Sequence, residues 1–152
     1  MLKAGQKAPD FTANDQNGQP VSLHDFKGKK IALYFYPHDN TPTCTEQACN
    51  LRDNFAALKK QGIVVLGVST DTEKKHQNFE KKYSLPFTLI ADPEEKIVNL
   101  YGVWQLKKFM GREFMGTVRT TFLINEKGII DHVIEKVTAK DHTAQILEAW
   151  GL

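Results

Sequence analysis

Two continuous apolar runs constrain this chain more than anything else in it: IALYFYP at Ile31–Pro37 and IVVLGVST at Ile63–Thr70. Neither alternates polar with apolar positions, so each reads as a strand covered on both faces, the habit of parallel sheets. Between them, Pro42 to Lys60 carries Ala48, Leu51, Phe55 and Leu58 at the spacing of one helical stripe, with Gly62 placed to cap its end. Strand, helix and second buried strand make the crossover unit that a parallel pair requires.

The rest of the chain extends that unit. TEKKHQNFEKKYSL reads as a mostly polar helix stopped by Pro86, and FTLIAD (Phe87–Asp92) as a third strand. PEEKIVNLYGV predicts a helix with Pro93 in its first turn, and FMGREFMG (Phe109–Gly116) a glycine-punctuated loop. RTTFLIN and IIDHVIEKV flank EKG as a hairpin, and a closing helix is capped by Asp141. Near the start, FTAND and QPVSL surround Asn17-Gly18 as a short hairpin. The fold class is therefore α/β: a thioredoxin-like mixed β-sheet flanked by helices on both faces, with an N-terminal β-hairpin. An open doubly wound sheet is the second choice. No linker or repeat interrupts residues 1–152, so one domain is expected.

Charge narrows the partners. The formal net charge is +2 and the lysines are scattered in pairs, with no basic block of the kind that tracks a phosphate backbone, so no nucleic-acid partner is expected. The longest apolar run, Ile63–Val68, is too short to cross a bilayer, so no membrane role is expected either. MLKAGQKAPDF lacks the apolar segment of a secretory signal, and a cytoplasmic setting is expected. In that compartment paired thiols tend to be catalytic or metal-binding.

The chain has two cysteines, Cys44 and Cys49, in TPTCTEQAC. Thr41 suits a helix cap and Pro42 the first helical position, which makes Cys44 the third helical residue. The unpartnered amides and the dipole of that turn favour a thiolate, the form a nucleophile needs. Cys44 also lies on the apolar stripe, and core filling is the competing reading. Cys49 is five residues on, about 140° further round the helix, and ideal geometry separates the two Cα atoms by about 8.7 Å. A disulfide needs less than about 7 Å. Either the thiols never meet, or the first turn unwinds so that they can.

The same geometry disfavours zinc, since two ligands on different helix faces cannot grip one ion and His38 is weak support. The spacing is not that of a CxxC exchanger, and no sequence feature selects one of the five histidines as a base for a cysteine hydrolase. Arginine occurs three times against 17 lysines, and Arg119 heads the apolar strand TTFLIN. A guanidinium there can face a site at the end of the sheet and hold an oxygen through paired donors, or it is a surface residue where the strand begins.

YPHDNTPTCTEQACNLRD, with Pro37, Thr41 and Cys44 spaced PxxxTxxC, resembles the active-site signature of the peroxiredoxins. The second cysteine five residues on is similar to the bacterioferritin comigratory protein, or PrxQ, subfamily. VLGVSTD, FTLIAD, YGVW, FMG and RTTFLIN fall where that subfamily has similar segments. The resemblance implies a thiol peroxidase acting on hydrogen peroxide and organic hydroperoxides. Cys44 would be the peroxidatic residue and Cys49 the resolving one, joined after oxidation in an intramolecular disulfide. Thr41 and Arg119 would orient thiolate and peroxide, and Pro37 would shield the site. The resemblance further implies reduction by thioredoxin or a similar dithiol, a monomer, and no haem, flavin or metal cofactor.

Thr43 and His38 stand where many members of the subfamily carry glycine and lysine. The FMGREFMG segment either rims the site for organic substrates or, as packing habit favours, pins itself to the core. A redox-sensing interaction module and a thiol–disulfide exchanger on the same fold are the rival readings.

Overall fold

The structure, a computed structural model, describes residues 1–152. Its centre is a five-stranded sheet built from β3 (Lys30–Phe35), β4 (Ile63–Ser69), β5 (Thr88–Ala91), β8 (Thr120–Ile124) and β9 (Ile130–Ile134), in the order β5-β4-β3-β8-β9. The pairs β3–β4 and β4–β5 are parallel, whereas β3–β8 and β8–β9 are antiparallel, so the mixed sheet matches expectation. A short hairpin of β1 (Thr12–Asn14) and β2 (Pro20–Ser22) precedes it, turning through Gly18 at φ +75°.

Side chains of β3 alternate between two cores, as the strand's period of two dictates. Ile31, Leu33 and Phe35 join one cluster with Leu66, Val68, Tyr101 and Phe122. Ala32, Tyr34 and Tyr36 join the other, packed under α1 (Pro42–Asp53), α2 (Phe55–Lys60), α3 (Glu73–Tyr83) and α5 (His142–Ala149). Helix α4 (Lys96–Leu100) covers the first cluster through Ile97 and Val98. Both sheet faces are thus dry, which is why the strand runs are uniformly apolar.

The structure departs from the sequence reading in three places. The helix expected over Pro42–Lys60 breaks at Asn54, where φ −112° and ψ 14° separate α1 from α2. The Asn54 side-chain amide donates to the Asn50 carbonyl at 2.8 Å, a local bond of the kind that competes with helical continuation. Helix α4 begins at Lys96, after Pro93. The buried Asp92 carboxylate accepts from the amides of Lys96, Ile97 and Val98 at 2.9–3.0 Å and serves as its cap.

The FMGREFMG segment is no loop. It lies in a hairpin of β6 (Trp104–Phe109) and β7 (Arg112–Thr117) that turns through Met110 and Gly111, both at positive φ. Phe109 is 66% exposed and Met110 86%, and Phe114 and Met115 are exposed as well, so the segment is not pinned to the core. Alternation that places neither face in a core hides the strand period from a sequence reading.

Candidate active site

Helix α1 starts where the sequence places it, with Thr41 extended at the cap and Pro42 as the first helical residue. The preceding loop is held from beneath. Asn40 takes the left-handed conformation at φ 61°, which asparagine tolerates better than most residues, and its Oδ1 accepts from Lys82 and from the Tyr83 hydroxyl of α3. The Asp39 amide donates to the buried Asp71 carboxylate at 2.7 Å, which also accepts from the Ser69 hydroxyl at 2.7 Å. The Asp39 carboxylate accepts from the Tyr36 hydroxyl and lies 2.6 Å from Nδ1 of the buried His76. His76 Nε2 faces the Ile90 carbonyl at 2.9 Å. No sequence signal joins Asp39 and Asp71 to His76, one of the five histidines weighed as a base, because their partners come from three separate segments. Their ligand atoms lie within 4.8 Å of one another, close enough for an ion, yet they are spent on each other and on Tyr36 and Ser69.

Cys44 is buried on the inner face of α1 with Gln47, Ala48 and Leu51. It is also part of the core cluster, so the packing reading is correct as far as burial goes. What packing does not explain is Arg119. Its Nη2 donates to Cys44 Sγ at 3.1 Å, and its Nη1 donates to the side-chain oxygen of Gln47. The register that pairs Phe35 with Thr120 sets Arg119 at the end of the sheet, beside the start of α1. One partly buried cation thus sits against a buried sulfur, where the charge of a thiolate would be and where electrostatic contacts count for more than in water.

The remaining expected residues are near but differently engaged. Thr41 lies at the cap, and its hydroxyl donates to the His38 carbonyl at 3.1 Å. Pro37 is half-buried where β3 gives way to the loop. His38 is exposed, with Nδ1 3.7 Å from Asp71, and Thr43 is exposed in the first turn. Cys49 is half-buried, and both cysteines are free thiols within one unbroken helix, the arrangement that keeps them apart.

Gln47 and Lys107 belong to this neighbourhood and escaped the sequence reading. Gln47 had a signal: it is three residues after Cys44, on the same helical face. Lys107 donates to the Thr117 carbonyl at 3.0 Å, and burial followed by the nearby Arg119 charge holds its amine below the ordinary lysine range. Burial raises the Tyr34 hydroxyl well above its usual range, with Asp39 and then Cys44 adding to it. The Tyr34 hydroxyl, Thr45 Oγ1, Gln47 Nε2 and Thr117 Oγ1 are buried without a hydrogen-bond partner. Each such group costs about 1–3 kcal/mol.

Residues 4–133 match the model of the AhpC/TSA family. The chain is 45% identical over 147 residues to peroxiredoxin Bcp of Bacillus subtilis, covering 97% of this chain and 94% of that protein. It is 45% identical over 146 residues to peroxiredoxin Bcp of Escherichia coli K12, covering 96% and 94%. Among solved structures, it superposes with a TM-score of 0.87 on the Xanthomonas campestris bacterioferritin comigratory protein, described for its alkyl peroxide reduction activity. Identity there is 29%, over 93% of this chain and 90% of that one.

Proposed function

Since the chain belongs to the AhpC/TSA family, alongside the Bcp peroxiredoxins, we propose that it is a thiol peroxidase reducing hydrogen peroxide and organic hydroperoxides through Cys44. The observation that carries this reading is the Arg119 guanidinium on the sulfur of a cysteine buried in the first turn of α1. That arrangement offers a nucleophile, a fixed cation and a helix N-terminus at one point, which is what O–O cleavage by a thiolate requires.

In the first step the Cys44 thiolate attacks the terminal oxygen of the peroxide. An S–O bond forms, the O–O bond breaks, and its electron pair departs on the second oxygen, which takes up a proton as water or alcohol. Arg119 holds the sulfur and faces the reacting oxygens, Thr41 sets the start of the helix, and Pro37 limits access of water. The Cys44 sulfenic acid is then attacked by the Cys49 thiol, which forms the disulfide and expels water. Trapping by a second thiol forestalls irreversible over-oxidation. The Cys44–Cys49 closure requires α1 to open at its first turn, a low-cost event at a helix end.

Thioredoxin or a similar dithiol donor returns both thiols by exchange, in a single-domain monomer working in the cytoplasm. No helix is long and apolar enough to cross a membrane. The test is NADPH consumption with thioredoxin and thioredoxin reductase under limiting peroxide. Sustained turnover separates a peroxidase from a sensor or interaction module that reacts once.

A further inference from the structure

Of the four buried polar atoms left without partners, Gln47 Nε2 is the one whose place relative to the Cys44 sulfur is set by bonds. The guanidinium that donates to Sγ through Nη2 donates through Nη1 to the Gln47 oxygen. That contact orients the amide. With Oε1 turned to the arginine, the NH2 group points elsewhere, and both its hydrogens are unclaimed in a residue with no solvent exposure. Folded interiors seldom leave a donor in that condition, and one beside a reactive centre calls for a catalytic account.

We infer that Gln47 Nε2 is a catalytic donor, hydrogen-bonding an oxygen of the bound peroxide and holding it as the O–O bond breaks. This rests on the reading of Cys44 as the peroxide-reactive thiolate. As sulfur is oxidised to the sulfenic acid, the O–O electron pair collects on the departing oxygen until water protonates it. Arg119 already bonds both the sulfur and the Gln47 oxygen, so a second donor shares the growing charge. A donor fixed in advance, away from solvent, is the efficient way to stabilise it. A carboxylate at position 47 would hold Arg119 at least as firmly. The property that distinguishes the amide is its N–H.

Two substitutions separate donation from mere support of Arg119. Gln47→Glu keeps an acceptor for Arg119 and removes the donor; Gln47→Met removes both without adding charge. For wild type and each variant, the peroxide rate constant is measured by rapid mixing. It is divided by the thiolate-limited rate of alkylation by iodoacetamide, which has no O–O bond to break. We expect this ratio to fall by about tenfold or more in both variants, short of the 10²–10³ typical for loss of a lone fixed donor because Arg119 remains. A fall in Gln47→Met alone would reduce the residue to a support for Arg119, and a fall in Gln47→Glu alone would reveal only the added charge. Unchanged ratios in both would leave the amide no part in the chemistry. Any of these three results overturns the inference. A wild-type protein that fails to consume peroxide would instead remove the parent reading.

Discussion

Arg119 Nη2 lies 3.1 Å from Cys44 Sγ, joining two residues 75 positions apart in the chain. The contact makes Arg119→Ala the first variant of interest. Its peroxide rate constant should fall by about 10²–10³, the range for loss of one fixed charge-stabilising donor. The thermal transition should stay close to that of the wild type, because Arg119 is only partly buried. Stopped-flow peroxide consumption beside a melting curve checks both halves; an unchanged rate would show that the cation plays no part.

The two thiols should separate by variant. Cys44→Ser should abolish peroxide consumption. Cys49→Ser should react once, leave a sulfenic acid that dimedone traps, and fail to turn over with thioredoxin. Mass spectrometry of the product distinguishes these outcomes, and full turnover by Cys44→Ser would end the assignment.

The anchor beneath the loop predicts a stability effect. In His76→Phe the Asp39 carboxylate, 5% exposed, loses its imidazole partner and is left with the Tyr36 hydroxyl. Removing one hydrogen-bond partner of a buried carboxylate costs about 1–3 kcal/mol. Urea unfolding measures the loss, and the peroxide rate should drop with it because Asp39 sits two residues before the Thr41 cap.

Acid sensitivity should trace to His142. Burial, opposed by its Gln145 contact, depresses this imidazole to about 4. The Gln145 amide donates to the Lys136 carbonyl, so its oxygen faces His142 Nδ1, which carries the hydrogen; Nε2 accepts from the Thr121 hydroxyl at 2.8 Å. The unfolded chain binds the proton near 6.5, so the folded state is fully favoured above that pH and loses ground as pH falls toward 4. Between pH 7 and pH 5 the loss from this residue should reach about 2 kcal/mol. In His142→Gln the pH dependence of unfolding over that interval should flatten; an unaltered slope would assign it elsewhere.

Most of the frame was legible because it depends on local signals. Apolar runs marked β3 and β4, Thr41-Pro42 marked the start of α1, and Gly62 at φ +74° closed its continuation as expected. The proposal of Cys44 as nucleophile starts from its place in that turn. The β6–β7 hairpin was missed because its apolar side chains face outward, without a core to impose alternation. The Asp39–His76–Asp71 network was missed for a different reason: each member looks like an ordinary surface residue until β4, α3 and the loop are brought together. Gln47 could have been found, since a polar residue one helical turn from the candidate nucleophile, on the apolar stripe, is an anomaly in the sequence itself.

The register between β3 and β8 also bears on the life of the chain before it is complete. Phe35 pairs with Thr120, so the cation reaches the thiol only after β8, near the end of the chain, has docked against a strand made much earlier. A polypeptide still being synthesised, or one caught half-folded, carries Cys44 without its guanidinium. On the proposed reading, such a chain holds the thiol without the cation that favours its thiolate, and should be slow to oxidise. The proposed reactivity is in this sense a late acquisition, conferred by tertiary assembly.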